Sequence, residues 1–190
     1  RFAAWKDALE REGVAVFDPA ETLVSLARRT GRPAFLATDT HWTGEAAAEA
    51  AGALANFLRA RGLAPGGPAT GWREEPAEVS GTGDLAAILG AGPGASGERV
   101  RVRRITGPGG SPWRPSRDAR VLLLGDSFTN MYSWEALGFG GSAGFAEHLS
   151  ASLGRPVDVI SRNDAGAWGT RDILARELAR GRDRLTGLAI

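Results

Sequence analysis

The sequence predicts an α/β fold, a three-layer αβα domain with a mainly parallel sheet. Three observations lead there. Short apolar runs alternate with helix-length segments along the chain, the pattern left by helices covering both faces of a parallel sheet. The run Val121-Leu122-Leu123-Leu124 is too short for a helix core and apolar throughout, as a strand buried on both faces would be. It runs directly into Gly125-Asp126-Ser127-Phe128, so a glycine lets the backbone turn at the strand's C-terminal end, where ligands bind in open α/β sheets.

The elements follow in order. Phe2, Trp5 and Leu9 recur at helical spacing over residues 1–12, and Gly13 stops the helix. Val14 to Phe17 reads as a short buried strand. Asp18-Pro19 opens a second helix with Leu23, Leu26 and Ala27 inward, broken at Gly31-Arg32-Pro33. Ala34 to Ala37 is a second apolar run, leading into Asp39-Thr40-His41-Trp42. Thr43 caps an Ala-rich helix from Gly44 to Arg61, closed by Gly62. Residues 63–82 read as an irregular excursion, Asp84 to Leu89 as a short helix and Gly90 to Gly97 as a loop. Arg99 to Ile105 alternates charged and apolar residues, as an edge strand does. After the Val121 strand and a helix following Ser127 come a helix over Ser142–Leu153, a strand over Pro156–Ile160, a helix over Thr170–Arg180 and the start of a strand at Leu185–Ile190. Residues 1–190 therefore form one domain, with residues 63–116 as an irregular insertion. A start inside a helix and an end inside a strand are what a fragment of a longer chain is expected to show.

Composition narrows the function. A net charge of +1 leaves no basic stripe for nucleic acid, and no apolar run approaches the roughly 20 residues of a membrane span. Lys6 is the single lysine, so nearly all positive charge is arginine. The absence of cysteine excludes disulfides, thiolate catalysis and a cysteine zinc site.

Ser127, delivered on a tight turn, is a candidate nucleophile, but a serine needs a base held by a third group. The chain has two histidines. His148 sits mid-helix beside Glu147. His41 follows a strand-like run with Asp39 two residues before it, on the same side of an extended segment, so Asp39 can fix the His41 ring. The plainer reading of Asp39 to Trp42 is a capped turn with a packed His/Trp pair, and that of Gly-Asp-Ser is an ordinary turn. Asp126, adjoining Ser127, is expected to bond the turn backbone rather than act in catalysis. A metal site from Asp39, His41 and Asp126 would be a poor set for a transition metal.

Val121 to Thr129, with Gly125-Asp126-Ser127-Phe128, resembles the nucleophile block of the SGNH (GDSL) hydrolases, whose three-layer domain is flavodoxin-like. Most of those carry Asp-x-x-His downstream of the serine, and no aspartate after Ser127 has a histidine three positions on. An upstream Asp39-Thr40-His41-Trp42 is instead the order of the AlgX/AlgJ-like polysaccharide O-acetyltransferases. Gly144 to Leu149, Pro156 to Ile160 and Ala165 to Trp168 are similar as well, so the resemblance runs from about Val14 to Ile190.

That resemblance implies Ser127 as nucleophile, His41 as general base and acid, and Asp39 as its orienter, without a cofactor or metal. It implies transfer of an acetyl group to a polysaccharide hydroxyl in the periplasm, with the acetyl group supplied by a membrane-bound O-acyltransferase partner. The Ser127 N–H, Gly141 and Asn163 are the candidate oxyanion donors, an ordinary Asx turn before Gly166 being the plainer reading of Asn163. Tyr132, Trp134 and Trp168 lie near the active-site blocks and could stack on sugar rings or simply pack in the core or at a hinge, and Arg162 or Arg171 could hold an acidic group or be a solvated surface residue. Two other readings use the same residues: a carbohydrate acetylesterase with water as acceptor, and an idle polysaccharide-binding domain.

Overall fold

The computed structural model describes residues 1–64, 71–91, 97–137, 139–182 and 184. Seven helices and four strands follow one another among them: α1 (Phe2–Arg11), α2 (Ala20–Thr30), α3 (Gly44–Ala60), β1 (Arg73–Gly81), α4 (Asp84–Ile88), β2 (Glu98–Thr106), β3 (Leu122–Gly125), α5 (Ser127–Asn130), α6 (Phe145–Leu153), β4 (Asp158–Ser161) and α7 (Gly166–Ala179). The expected strand at Leu185–Ile190 lies outside the described residues, as does most of the Gly90–Gly97 loop.

The strand read from Val121-Leu122-Leu123-Leu124 forms, and it pairs in parallel with β4, Leu122 opposite Asp158 through Gly125 opposite Ser161. Val121, Leu123 and Val159 pack with α3 and α6, around Ala51, Ala55, Leu149 and Leu153, while α7 packs on both strands. The alanines of α3 explain how it lies so close to α6: Ala47, Ala51 and Ala55 are fully buried, and side chains of one carbon let two helices approach without voids. Burying Leu149 and Leu153 contributes about 1.5–3 kcal/mol each.

The mainly parallel sheet does not appear among the described residues. Each of the two sheets has two strands, one parallel and one antiparallel. Val14 to Phe17 forms no strand, and of the expected buried run Val16 is buried while Val14 is exposed. Ala34 to Ala37 turns back on itself instead of joining a sheet, with Phe35 bridged to Trp42, Thr43 N donating to Ala34 O at 2.8 Å and Leu36 N to His41 O at 3.0 Å. Ala34 O and Leu36 N are thus spent on residues 41–43 and are not available to a neighbouring strand.

The insertion is the other departure. Residues 73–81, expected to be irregular, form β1 and pair antiparallel with β2 along its whole length. Arg99 to Ile105 does form the expected strand. Val100, Val102 and Ile105 turn inward, where the first two join Leu36, Ala47, Met131, Tyr132 and Phe139 in one cluster.

His148 lies buried in α6, its Nε2 without a hydrogen-bond partner. It shares a cleft with Glu49, Glu74 and Arg103. Burial, with the charge of Arg103 behind it, pushes its pKa down to about 4, against ~6.5 in an unfolded chain. Between these values the unfolded state takes up the proton first, so stability is lost as pH falls through that window. Glu147 works in the opposite sense: burial raises its carboxyl above the usual range despite the Ser133 hydroxyl and the backbone N–H groups that bond it, which costs stability as pH rises. Comparing wild type with His148→Leu isolates the histidine. Urea unfolding should shift in favour of the variant by about 2 kcal/mol between pH 7.5 and pH 5, and a pH-independent difference would remove His148 from the acid response.

Candidate active site

Asp39 and His41 meet as their spacing predicts. His41 Nδ1 lies 2.5 Å from Asp39 Oδ1, and His41 N donates to the same oxygen at 2.9 Å. Both side chains are nearly buried. The other Asp39 oxygen accepts from Asp84 N at 2.9 Å. Three donors thus hold one carboxylate, and the imidazole bonded to it keeps Nε2 for other work. Nε2 is buried and has no hydrogen-bond partner.

Long-range partners that local sequence patterns do not disclose hold the loop around this pair. Glu98, at the start of β2, accepts from Ala37 N at 3.0 Å, Thr38 N at 3.0 Å and Thr38 Oγ1 at 2.9 Å. Asp84, at the start of α4, accepts from Thr40 N at 2.8 Å and Thr40 Oγ1 at 2.6 Å. Burial raises the Asp84 carboxyl, but the Thr40 and Leu85 hydrogen bonds and the field of His41 outweigh it and hold it below the usual range. Gly83 approaches so closely that an added Cβ would stand 2.2 Å from the Thr38 carbonyl oxygen. The insertion is therefore the frame of the Asp39–His41 loop.

Ser127 opens α5, immediately after the turn that ends β3. Asp126 caps the turn, its carboxylate accepting from Phe128 N at 3.0 Å, as the sequence suggested. Thr129 N and Asn130 N both donate to Asp126 O, so the Ser127 N–H is left without a partner among the described residues. Gly125 is required by space: a Cβ there would fall 2.3 Å from Thr129 Oγ1.

The two blocks are locked together. Trp42 Nε1 donates to Phe128 O at 3.1 Å, and Tyr132 Oη donates to Trp42 O at 2.8 Å. The His41 ring lies 4.7 Å from the Phe128 ring, and Trp42 stacks on Phe145 at 5.4 Å. No hydrogen bond joins His41 to Ser127. A cleft of about 390 Å³ borders the turn, lined by Trp42, Gly125, Asp126, Phe128, Gly166 and Arg171 among others.

The remaining candidates divide. Asn163 lies just beyond β4, exposed, with its Oδ1 accepting from Asn130 Nδ2 at 2.7 Å. Trp134 and Trp168 are exposed, 50% and 78%, and the Arg171 guanidinium lies over the Trp168 ring at 4.9 Å. Tyr132 does not face a ligand. It is fully buried, its hydroxyl is spent on Trp42, and burial, with Asp39 and Glu98 behind it, pushes its pKa upward. Arg162 pairs with Asp164 on its own loop at 2.7 Å, which neutralises it and holds the Asp164 carboxyl low. Gly141 belongs to a loop tied to Tyr132 through Ala143 N and to β2 through Ser142 O, away from the Ser127 turn's own bonds. Sequence reasoning missed Asp84, Glu98, Asn130 and Ser161.

Asp39, His41 and Asp84 also lie close enough to hold a cation. Their inner atoms are already matched to N–H and O–H donors from Thr40, His41 and Asp84 itself, which a metal would have to displace. The set does not fit a resident metal.

Residues 1–181 match the family model described as the SGNH hydrolase-like domain of the acetyltransferase AlgX. The chain belongs to that family. Among solved structures it is similar to the O-acetyltransferase domain of Pseudomonas putida AlgJ, with a TM-score of 0.68 at 18% identity, over 96% of this chain and 61% of that one. Pseudomonas aeruginosa AlgX is a weaker likeness, with a TM-score of 0.48 at 20% identity, over 70% of this chain and 29% of that one. The search of curated protein sequences finds no match. The fold is thus the α/β fold of SGNH-like domains, and the chain spans about three-fifths of the AlgJ domain structure.

Removing the indole N–H tests the lock between the blocks. Trp42→Phe keeps a ring against Phe145 and leaves the Phe128 carbonyl without its partner. It should cost about 1–3 kcal/mol in urea unfolding. An unchanged unfolding midpoint would mean that the Phe128 segment holds its place without Trp42.

Proposed function

We propose that this domain is an O-acetyltransferase that moves an acetyl group through Ser127 onto a hydroxyl of a polysaccharide. The single observation carrying this reading is the buried Asp39–His41 pair at 2.5 Å, locked by Trp42 to the segment that carries Ser127. Family membership supports acetyl transfer as the chemistry.

In the first half-reaction Ser127 Oγ attacks the acetyl carbonyl of the donor while His41 Nε2 takes the serine proton. The tetrahedral oxyanion forms opposite the Ser127 N–H and the Asn163 amide. Collapse expels the donor oxygen, which receives the proton from His41. In the second half a sugar hydroxyl replaces the donor. Its proton goes to His41, its oxygen bonds the acetyl carbon, and Ser127 leaves with the proton returned. Asp39 keeps Nδ1 protonated, so that Nε2 is the basic nitrogen, and stabilises the imidazolium in each half.

The exposed Trp134 and Trp168 supply flat apolar faces suited to sugar rings. The acceptor is a polysaccharide, the acetyl donor is delivered by a membrane-bound O-acyltransferase partner, and the place of action is the periplasm; family resemblance supports each of these.

Chromogenic acetyl ester, offered with and without an oligosaccharide acceptor, tests the reading. Ester turnover should fall to background in Ser127→Ala and by about 10²–10⁴-fold in Asp39→Asn, which presents the wrong tautomer of His41. Acetylated oligosaccharide, seen by mass spectrometry, supports transfer. Acetate release indifferent to the acceptor makes the domain an esterase, and full activity in Ser127→Ala removes the acyl-enzyme.

A further inference from the structure

We propose that Asn130 and Ser161 form a hydrogen-bond relay that positions Asn163 as an oxyanion donor at Ser127. This rests on the acyl-transfer reading and adds two positioning residues to it.

The parallel register sets the geometry. Gly125 pairs with Ser161, and Arg162 N donates to Gly125 O at 3.0 Å. Two residues beyond each paired position stand Ser127 and Asn163. They leave the same edge of the sheet from adjacent strands, which run about 4.8 Å apart.

Asn130 is 3% exposed and sits at the end of the short helix that Ser127 begins. Both ends of its amide are used. Ser161 Oγ donates to Asn130 Oδ1 at 2.8 Å, and Asn130 Nδ2 donates to Asn163 Oδ1 at 2.7 Å. An amide has one accepting and one donating end. Once the Asn163 oxygen is held by Asn130, its Nδ2 must point the other way, and that nitrogen has no acceptor among the described residues. Ser161 matters because a buried asparagine could otherwise turn end for end. Its hydroxyl donates to the Asn130 oxygen and so keeps the Asn130 nitrogen aimed at Asn163. The relay orders an exposed side chain before any charge develops, which is what preorganised oxyanion stabilisation requires.

A simple clip between β4 and α5 would use the same hydrogen bonds, so the test must separate positioning from packing. With p-nitrophenyl acetate as the probe, Asn163→Ala should lower kcat about 100-fold with KM nearly unchanged. Asn130→Ala and Asn130→Asp should each lower kcat at least tenfold, the second because a carboxylate cannot donate to Asn163. Ser161→Ala should lower it less. In the Asn163→Ala background, Asn130→Ala should cause no further loss. Effects that multiply in the double variant overturn the relay, as does an Asn130→Ala protein with wild-type kcat. Ser127→Ala with full activity would instead bring down the acyl-enzyme reading. The relay then answers to a readout without turnover: in ¹⁵N-labelled protein the Asn163 side-chain amide signals should move in Ser161→Ala and in Asn130→Asp, and signals that stay in place in both overturn it.

Discussion

Trp42 joins what the chain keeps apart. It packs against all three hydrophobic clusters, its indole N–H holds the carbonyl of Phe128, and its own carbonyl holds the hydroxyl of Tyr132. Eighty-six residues separate Trp42 from Phe128, so the relative position of the imidazole and the serine turn is set by tertiary packing alone. A half-buried aromatic with a bonded polar tip suits this task, because its area supplies the stabilisation and its N–H supplies the direction.

The electrostatics of the pair follow from the same burial. A carboxylate taken out of water is costly unless its lone pairs are filled. Asp39 meets that condition with the His41 ring, the His41 N–H and the Asp84 N–H. The arrangement fixes the imidazole at one nitrogen and leaves the other unpaired in a dry setting. An unpaired nitrogen of this kind is costly in a core and useful at an active site.

Much of the fold was legible because it is written in local pattern. The Ala-rich α3 carries its cap at Thr43 and its period in the buried alanines. The β3 strand shows its apolar run, and the turn after it shows the glycine that spacing demands. The site was legible where its residues are neighbours in sequence, as Asp39 and His41 are. It was not legible where one side chain meets a distant backbone. Glu98 lies about sixty residues from the N–H groups it accepts from, and Asn130 lies thirty-three from Asn163. No period marks such partners. Tyr132 misled because proximity in sequence to Ser127 says nothing of which way a side chain turns, and five residues on it faces the core. The parallel sheet was overread because Ala34 to Ala37 has a strand's composition but bonds within its own turn.

The carboxylates of Asp84 and Glu98 have a consequence for any attempt to move this chemistry elsewhere. The segment Asp39-Thr40-His41-Trp42 looks like a self-contained cassette. Its shape, however, is moulded from outside: Asp84 holds Thr40 and Asp39, while Glu98 and the bare backbone of Gly83 hold the Ala37–Thr38 stretch that leads into it. A graft of the four residues alone would arrive without its mould, and so would a version of this domain trimmed of Asp84 and Glu98 to make it smaller. The smallest transferable unit is the loop together with Gly83, Asp84 and Glu98, positions far from it in the chain that behave with it as a single part.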